Sequence, residues 1–227
     1  MADGTGAGAT EPGATGARST EPGATGAGTT ESSATAVRLE PWGAGGLELL
    51  RRNNVPEMMV FLGGPESEEK LQDRHHRYLA GWTDGTSRMF RIVLPDAPDG
   101  VGAIGYWPIQ WNGEEVYESG WSVEPGHQGK GIATAALRLV LADAAALPRE
   151  PHLPREPDAP GVARSEGGHP QAHMAFRPAV HAFPKIVNIP SNVICRKAGF
   201  TLAGECEFEY PPGNPIRSHD WVFVFDH

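Results

Sequence analysis

The chain has 227 residues, a formal net charge of −9, 29 glycines, 21 prolines and two cysteines. That length suits one domain with attachments. The acidic balance argues against a nucleic-acid binder, which usually carries a basic face, and Cys195 and Cys206 form no C-x-x-C pair and require no disulfide framework.

Residues 1–36 hold no aromatic residue and, Met1 apart, no large apolar one. They repeat Thr10-Glu11-Pro12-Gly13-Ala14-Thr15-Gly16-Ala17 as Thr20-Glu21-Pro22-Gly23-Ala24-Thr25-Gly26-Ala27. Such a segment cannot bury enough apolar surface to offset the entropy of ordering it, so a disordered tail is expected. The folded domain should be 37–227. The tail carries Asp3, Glu11, Glu21 and Glu31 against Arg18, which leaves −6 on the domain. An acidic surface suits cationic substrates such as amines. The tail has no basic start followed by an apolar stretch, and no apolar run in the chain approaches membrane-spanning length. A reducing cytoplasm is therefore the expected setting, with neither a membrane nor nucleic acid as partner. The sequence leaves a homodimer open.

Val37–Trp42 alternates and reads as a first strand. Residues 45–82 read as helix in pieces, broken at Pro56 and at Gly63-Gly64-Pro65; the better helix starts at Ser67, an N-cap followed by Glu68 and Glu69. Three strands follow at Met89–Leu94, Val101–Gln110 and Glu115–Val123, the last two joined by the hairpin signal Asn112-Gly113. A helix over Gly131–Leu147 places Ile132, Ala135, Ala136, Leu139 and Val140 on one face, and Pro148 stops it. Residues 148–178 carry seven prolines and no sustained period, and read as an insertion. A short strand at Ala179–Phe183, a short helix at Ser191–Ala198 capped by Gly199, and strands near Leu202–Tyr210 and Trp221–Phe225 complete the chain. The expected class is α+β: a mixed, largely antiparallel sheet flanked by helices.

Chemistry concentrates where the strand ending at Val123 turns through Gly126-His127-Gln128-Gly129-Lys130-Gly131 into a helix. A helix start leaves its first N–H groups unpaired and, with the helix dipole, makes an anion site. The loop alone reads equally as a solvated turn capping a helix. A Walker loop is excluded because Gly131 follows Lys130, and a dinucleotide fingerprint because Thr134 stands where a third glycine belongs.

Gln128-Gly129-Lys130-Gly131-Ile132-Ala133 resembles the acetyl-CoA signature [Q/R]-x-x-G-x-[G/A] of the GNAT acetyltransferases. Asn188-Ile189-Pro190-Ser191, followed after seven residues by Gly199-Phe200, resembles that family's second conserved segment. Pro41-Trp42, and Ser191 with Lys197, resemble the branch that acetylates ribosomal-protein alanines. The resemblance implies a GNAT-like fold over 37–227 and acetyl-CoA as co-substrate. It implies that Gln128, Gly129, Lys130, Gly131, Ile132 and Ala133 hold the pyrophosphate. The sheet should splay after Val123 to take the pantetheine arm, with an N–H near Val123 on the oxyanion. Asn188, Ser191 and Asn192 should contact the cofactor's other side. An amine, from a small molecule or a protein N-terminus, would attack the thioester directly.

Glu118, two residues before Gly120-Trp121, is the candidate base; an exposed strand carboxylate is the other reading. Family members often carry a tyrosine acid seven residues after the asparagine, and here that position is Cys195, either a weak thiol acid or a packing residue. His152, His169, His173 and His181 sit among prolines without ligand spacing, so no metal is expected. An active N-acetyltransferase and a catalytically weak acyl-CoA-binding module both fit, and the acceptor carries no readable motif.

Overall fold

The computed structural model describes residues 36–148, 174–209 and 215–225. Except for residue 36, the expected tail lies outside them, as do residues 149–173 of the expected insertion. The described elements are β1 (Arg38–Pro41), α1 (Gly46–Asn53), α2 (Pro56–Met59), α3 (Glu68–Asp84), β2 (Arg88–Leu94), β3 (Ala97–Trp111) and β4 (Glu114–Val123). A short 3-10 turn (Pro125–His127) leads to α4 (Ile132–Ala145), β5 (Ala179–Ala182), α5 (Ile189–Ala198), β6 (Thr201–Glu209) and β7 (Pro215–Val224). The strands form one sheet in the order β1-β2-β3-β4-β5-β7-β6, antiparallel throughout except for the β4–β5 pair.

Local chemistry accounts for most boundaries. Ser67 caps α3 by accepting from the Lys70 N–H, and Gly85 closes it in the left-handed region. Asn112 (φ 51°) and Gly113 (φ 84°) supply the two positive-φ residues of a two-residue hairpin, which holds Trp111 opposite Glu114. Gly199 closes α5 at φ 103°.

Strand alternation divides the apolar residues between two faces. One face carries Phe90, Ile92, Ile104, Tyr106 and Tyr117 against Ile132, Leu137 and Val140 of α4 and Cys195 of α5. On the other, Met89 and Ala103 pack against Trp42, Leu49, Leu50 and Leu71. There the Trp42 Nε1–H donates to His75 Nδ1 at 3.0 Å, and burial lowers the His75 pKa, which favours the neutral acceptor this bond needs.

Three expectations change. On α4 the buried residues are Ile132, Ala136, Leu137, Val140, Leu141 and Ala144, while Leu139 is 40 % exposed. The apolar face is rotated because two layers, the sheet and α5, share this helix. β7 starts six residues before Trp221, at Pro215; its inward residues include the buried polar Ser218 and Asp220, so the apolar pattern is hidden. Residues 174–178 also belong to the fold. Tyr117 Oη donates to the Ala175 carbonyl, and the Phe176 N–H donates to the Pro148 carbonyl at 2.8 Å. The described residues on either side of 149–173 therefore meet at one place.

Candidate active site

The site opens where β4 and β5 part. Their parallel pairing holds only two registered pairs, Tyr117 with Val180 and Glu118 with His181. The expected splay after Val123 begins five residues earlier, at Ser119. The Glu124 N–H donates to the Val101 carbonyl at 2.8 Å, and β3–β4 register runs unbroken from Gly102↔Val123. Alternation then turns the N–H and C=O of Ser119, Trp121 and Val123 away from β3 and into the gap. This is a strand edge to which an extended amide-bearing chain can add.

At the end of β4 the chain turns into α4. Gly129 (φ 75°) and Gly131 (φ 79°) take left-handed conformations, and a Cβ on either would point into open space. Gly131 is the N-cap of α4, with no side-chain cap, so the first N–H groups of a 14-residue helix are left for an external anion. Gln128, Gly129, Lys130 and Gly131 are exposed, whereas Ile132 is buried and Ala133 packs on the main core. The Gln128 side chain donates to the Val123 carbonyl at 2.8 Å and so braces the loop against the strand. The Lys130 ammonium lies 2.9 Å from the Gly126 carbonyl.

The gap continues into a cleft of about 220 Å³ on the α1–α3 side of the sheet. Its walls include Tyr78, Trp107, Trp121, Phe183 and Phe208. Leu50, Phe61, Leu62, Arg74 and Tyr78 come from the helical region 45–82, and none of residues 174–178 lines it. Glu118 stands in this cleft. Trp107, its register partner on β3, donates from Nε1 to Glu118 Oε2 at 3.0 Å. Desolvation pushes the Glu118 pKa up from 4.5 to about 7, against the opposing pull of the Trp107 hydrogen bond. A carboxyl titrating there is matched to taking a proton at neutral pH.

The opposite wall is built differently. Asn188 caps α5 by accepting from the Ser191 N–H, and both residues line the cleft. Asn192, expected at the cofactor, is used inside the protein. Its Nδ2 donates to the carbonyls of Lys185 (3.0 Å) and Asn188 (2.8 Å), and its Oδ1 accepts from Trp221 Nε1 (2.8 Å) and faces His219 Nδ1 (2.6 Å). An amide so saturated shapes the 185–188 turn and has no hydrogen-bonding capacity left for a ligand. Cys195 is fully buried in the main core and is not among the residues that line the cleft, and burial pushes its thiol up to about 12.

Sequence reasoning missed two contributors, Trp107 as partner of Glu118 and Lys185 on the cleft wall, and also a buried pair outside the cleft lining in which His181 Nδ1 lies 2.6 Å from Asp220 Oδ1. Trp111 Nε1 donates to the same carboxylate at 2.9 Å. His181, one of the four histidines without ligand spacing, has this carboxylate as its partner. His152, His169 and His173 lie outside the described residues. Among the described residues there is no group of three or more His, Cys, Asp or Glu side chains that could hold a metal, and no helix is long and apolar enough to cross a membrane.

A strand that splays beside a glycine turn into a helix, with a cleft on one face of the sheet, is the arrangement that the resemblance to the GNAT acetyltransferases implies. The family model described as "Acetyltransferase (GNAT) domain" matches residues 37–201. The chain belongs to this family of acetyltransferases, which use acetyl-CoA as co-substrate. A search of curated protein sequences gives no match. Among solved structures, the fold is similar to an acetyltransferase from Salmonella typhimurium that modifies the N-terminal serine of ribosomal protein L7/L12. The two share 16 % identity at a TM-score of 0.60, over 84 % of this chain and 95 % of that one. A GNAT-family acetyltransferase from Bacillus anthracis is similar at 16 % identity and TM-score 0.57, over 83 % and 94 %. Aminoglycoside acetyltransferase AAC(6')-Ib in complex with coenzyme A is similar at 15 % identity and TM-score 0.56, over 83 % and 95 %.

Proposed function

We propose that the protein transfers the acetyl group of acetyl-CoA to a primary amine by direct attack, with Glu118 as the general base. The observation that carries this reading is the position of Glu118: at the fork between β4 and β5, in the cleft, fixed by Trp107 and titrating near 7. Backbone amides at Gly129–Ala133 would take the pyrophosphate, supported by the uncapped start of α4. The β4 edge from Ser119 to Val123, with Asn188 and Ser191 across the gap, would hold the pantetheine arm, and a β4 N–H would stabilise the oxyanion. Glu118 takes one proton from the acceptor ammonium. The freed amine lone pair forms the C–N bond, the C–S bond breaks with its electron pair going to sulfur, and the second proton, shed by the acylated nitrogen, passes to the departing thiolate, giving the amide and the free thiol. Cys195 acts in packing, so no side-chain acid replaces the usual tyrosine. The cytoplasm, which supplies acetyl-CoA, is the proposed location.

The experiment is thiol release from acetyl-CoA against a panel of amines, read with and without each amine. Amine-dependent release supports the reading. Tight acetyl-CoA binding with no release for any amine overturns it in favour of an acyl-CoA-binding module.

A further inference from the structure

The cleft has a charge pattern that acetyl transfer to a plain amine does not explain. The chain as a whole is acidic, yet the described charged residues lining the cleft are two cations, Arg74 and Lys185, and one carboxylate, Glu118. Arg74 is paired with Glu66. Among the described residues the Lys185 ammonium has no hydrogen-bond or ionic partner. Half-buried on an aromatic-walled cleft, this ammonium is free to pair with an anionic group of a ligand.

Lys185 is also held in place. Its carbonyl accepts from the Asn188 N–H at 2.9 Å and from Asn192 Nδ2 at 3.0 Å, and it forms a bridge with Ser218 of β7. The pairings His181↔Val222, Ala182↔Trp221 and Lys185↔Ser218 share one unbroken antiparallel register, so Lys185 continues the line of β5 beyond its last residue. It lies four residues past His181, the register partner of Glu118. Even spacing puts Lys185 on the same sheet face as Glu118, roughly 13 Å further along at ~3.3 Å per residue. The flexible four-carbon stem of lysine can recover about half of that distance.

We propose that the acceptor is a primary amine that also bears a carboxylate, set from the amine by about the length of a dipeptide, with Lys185 binding the carboxylate. This deepens the acetyltransferase reading and rests on it. Two unpaired charges of opposite sign, Glu118 and Lys185, match a zwitterion, and one unpaired ammonium balances one carboxylate where a dianionic phosphate would leave charge over. The aromatic walls between them fit an apolar or aromatic side chain.

The test compares kcat/KM for phenylalanyl-glycine with that for its C-terminal amide, which differs only in the missing charge, and includes 2-phenylethylamine. The native enzyme should prefer the acid by tenfold or more, mostly in KM. Lys185→Met should bring the ratio close to one, and Lys185→Glu should favour the amide. Equal use of acid and amide by the native enzyme overturns the proposal and leaves acetyl transfer standing. A Lys185→Met enzyme that keeps the ratio but raises KM for acetyl-CoA overturns it too, by assigning the cation to the cofactor phosphates. No thiol release with any of the three overturns the proposal, and release with another amine of the panel then leaves acetyl transfer standing.

Discussion

On the β4 side of the cleft the proposed binding groups are backbone: the strand edge from Ser119 to Val123 and the uncapped N–H groups at the start of α4. On the β5 side they are side chains held by other side chains, with Asn192 tying the 185–188 turn to Trp221 and His219 of β7. In the proposed reading, backbone takes what never changes between substrates, a pyrophosphate and, with Asn188 and Ser191 across the gap, an amide chain. Side chains can be exchanged without rebuilding the sheet, so that wall can be adapted to an acceptor. Glu118 lies between the two, on the last registered pair before the strands part.

The largest effect should come from that junction. Glu118→Gln keeps size but cannot take a proton, so turnover should fall by about a hundredfold or more, with acetyl-CoA affinity nearly unchanged. The native kcat/KM should rise with pH through a limb near 7, because the ionised form is the base, and the substitution should abolish that limb. The stability sign is the reverse. The unfolded carboxyl releases its proton near 4.5 and the folded one near 7, so stability falls between those values as pH rises. In Glu118→Gln that part of the fall should vanish in thermal melts taken across the window. An unaltered pH profile would remove Glu118 from the base role.

Gly131→Val separates the walls. The Cβ would enter open space but at φ 79°, a conformation a β-branched residue resists by roughly 1–3 kcal/mol. Acetyl-CoA affinity, measured by calorimetry on the folded variant, should drop at least about tenfold as the helix start rearranges. Binding equal to the native protein would sink the assignment of the backbone wall.

What the sequence made legible follows the same division. The caps at Ser67 and Gly199, the Asn112-Gly113 turn and the glycine loop are local: each needs only a few neighbouring residues to specify a conformation. Trp107 with Glu118, and His181 with Asp220, lie 11 and 39 residues apart and meet only through strand register. Ser218 and Asp220 obscured the start of β7 because polar residues face inward there. Glu118 is held in the cleft by one such pair, so no short motif announces its setting.

Cys195→Ala should be a milder change. The thiol sits in the main core with Val140 and Phe200, so its loss should cost about 1 kcal/mol of stability in denaturant titrations. Turnover should stay within a few-fold, with the alkaline side of the pH profile unmoved. A marked loss of turnover with stability intact would restore the thiol as an acid.

The smallest effect is expected from removing residues 149–173 and joining Pro148 to Met174 by a short glycine-serine linker. The Phe176 N–H and the Pro148 carbonyl are already hydrogen bonded at 2.8 Å, so the two ends meet without the segment. Its roots lie where α4 ends and before β5 begins. α4 starts at the glycine loop and β5 runs toward the cleft, so both roots stand at the far end of these elements from the site. Met174, which donates to the Gly85 carbonyl at 2.7 Å, and Ala175, which accepts from Tyr117, are both retained. Closing a shorter loop changes the entropy of the unfolded chain only slowly with length. The melting temperature should stay within about 2 °C of the native value, on the scale where 1 kcal/mol moves a domain of this size by a few degrees. Neither acetyl-CoA affinity nor the acid-to-amide preference should change. If the preference alone collapses, the segment contributes to the acceptor wall, and the division between a backbone wall and a wall held by β7 must be redrawn to include it.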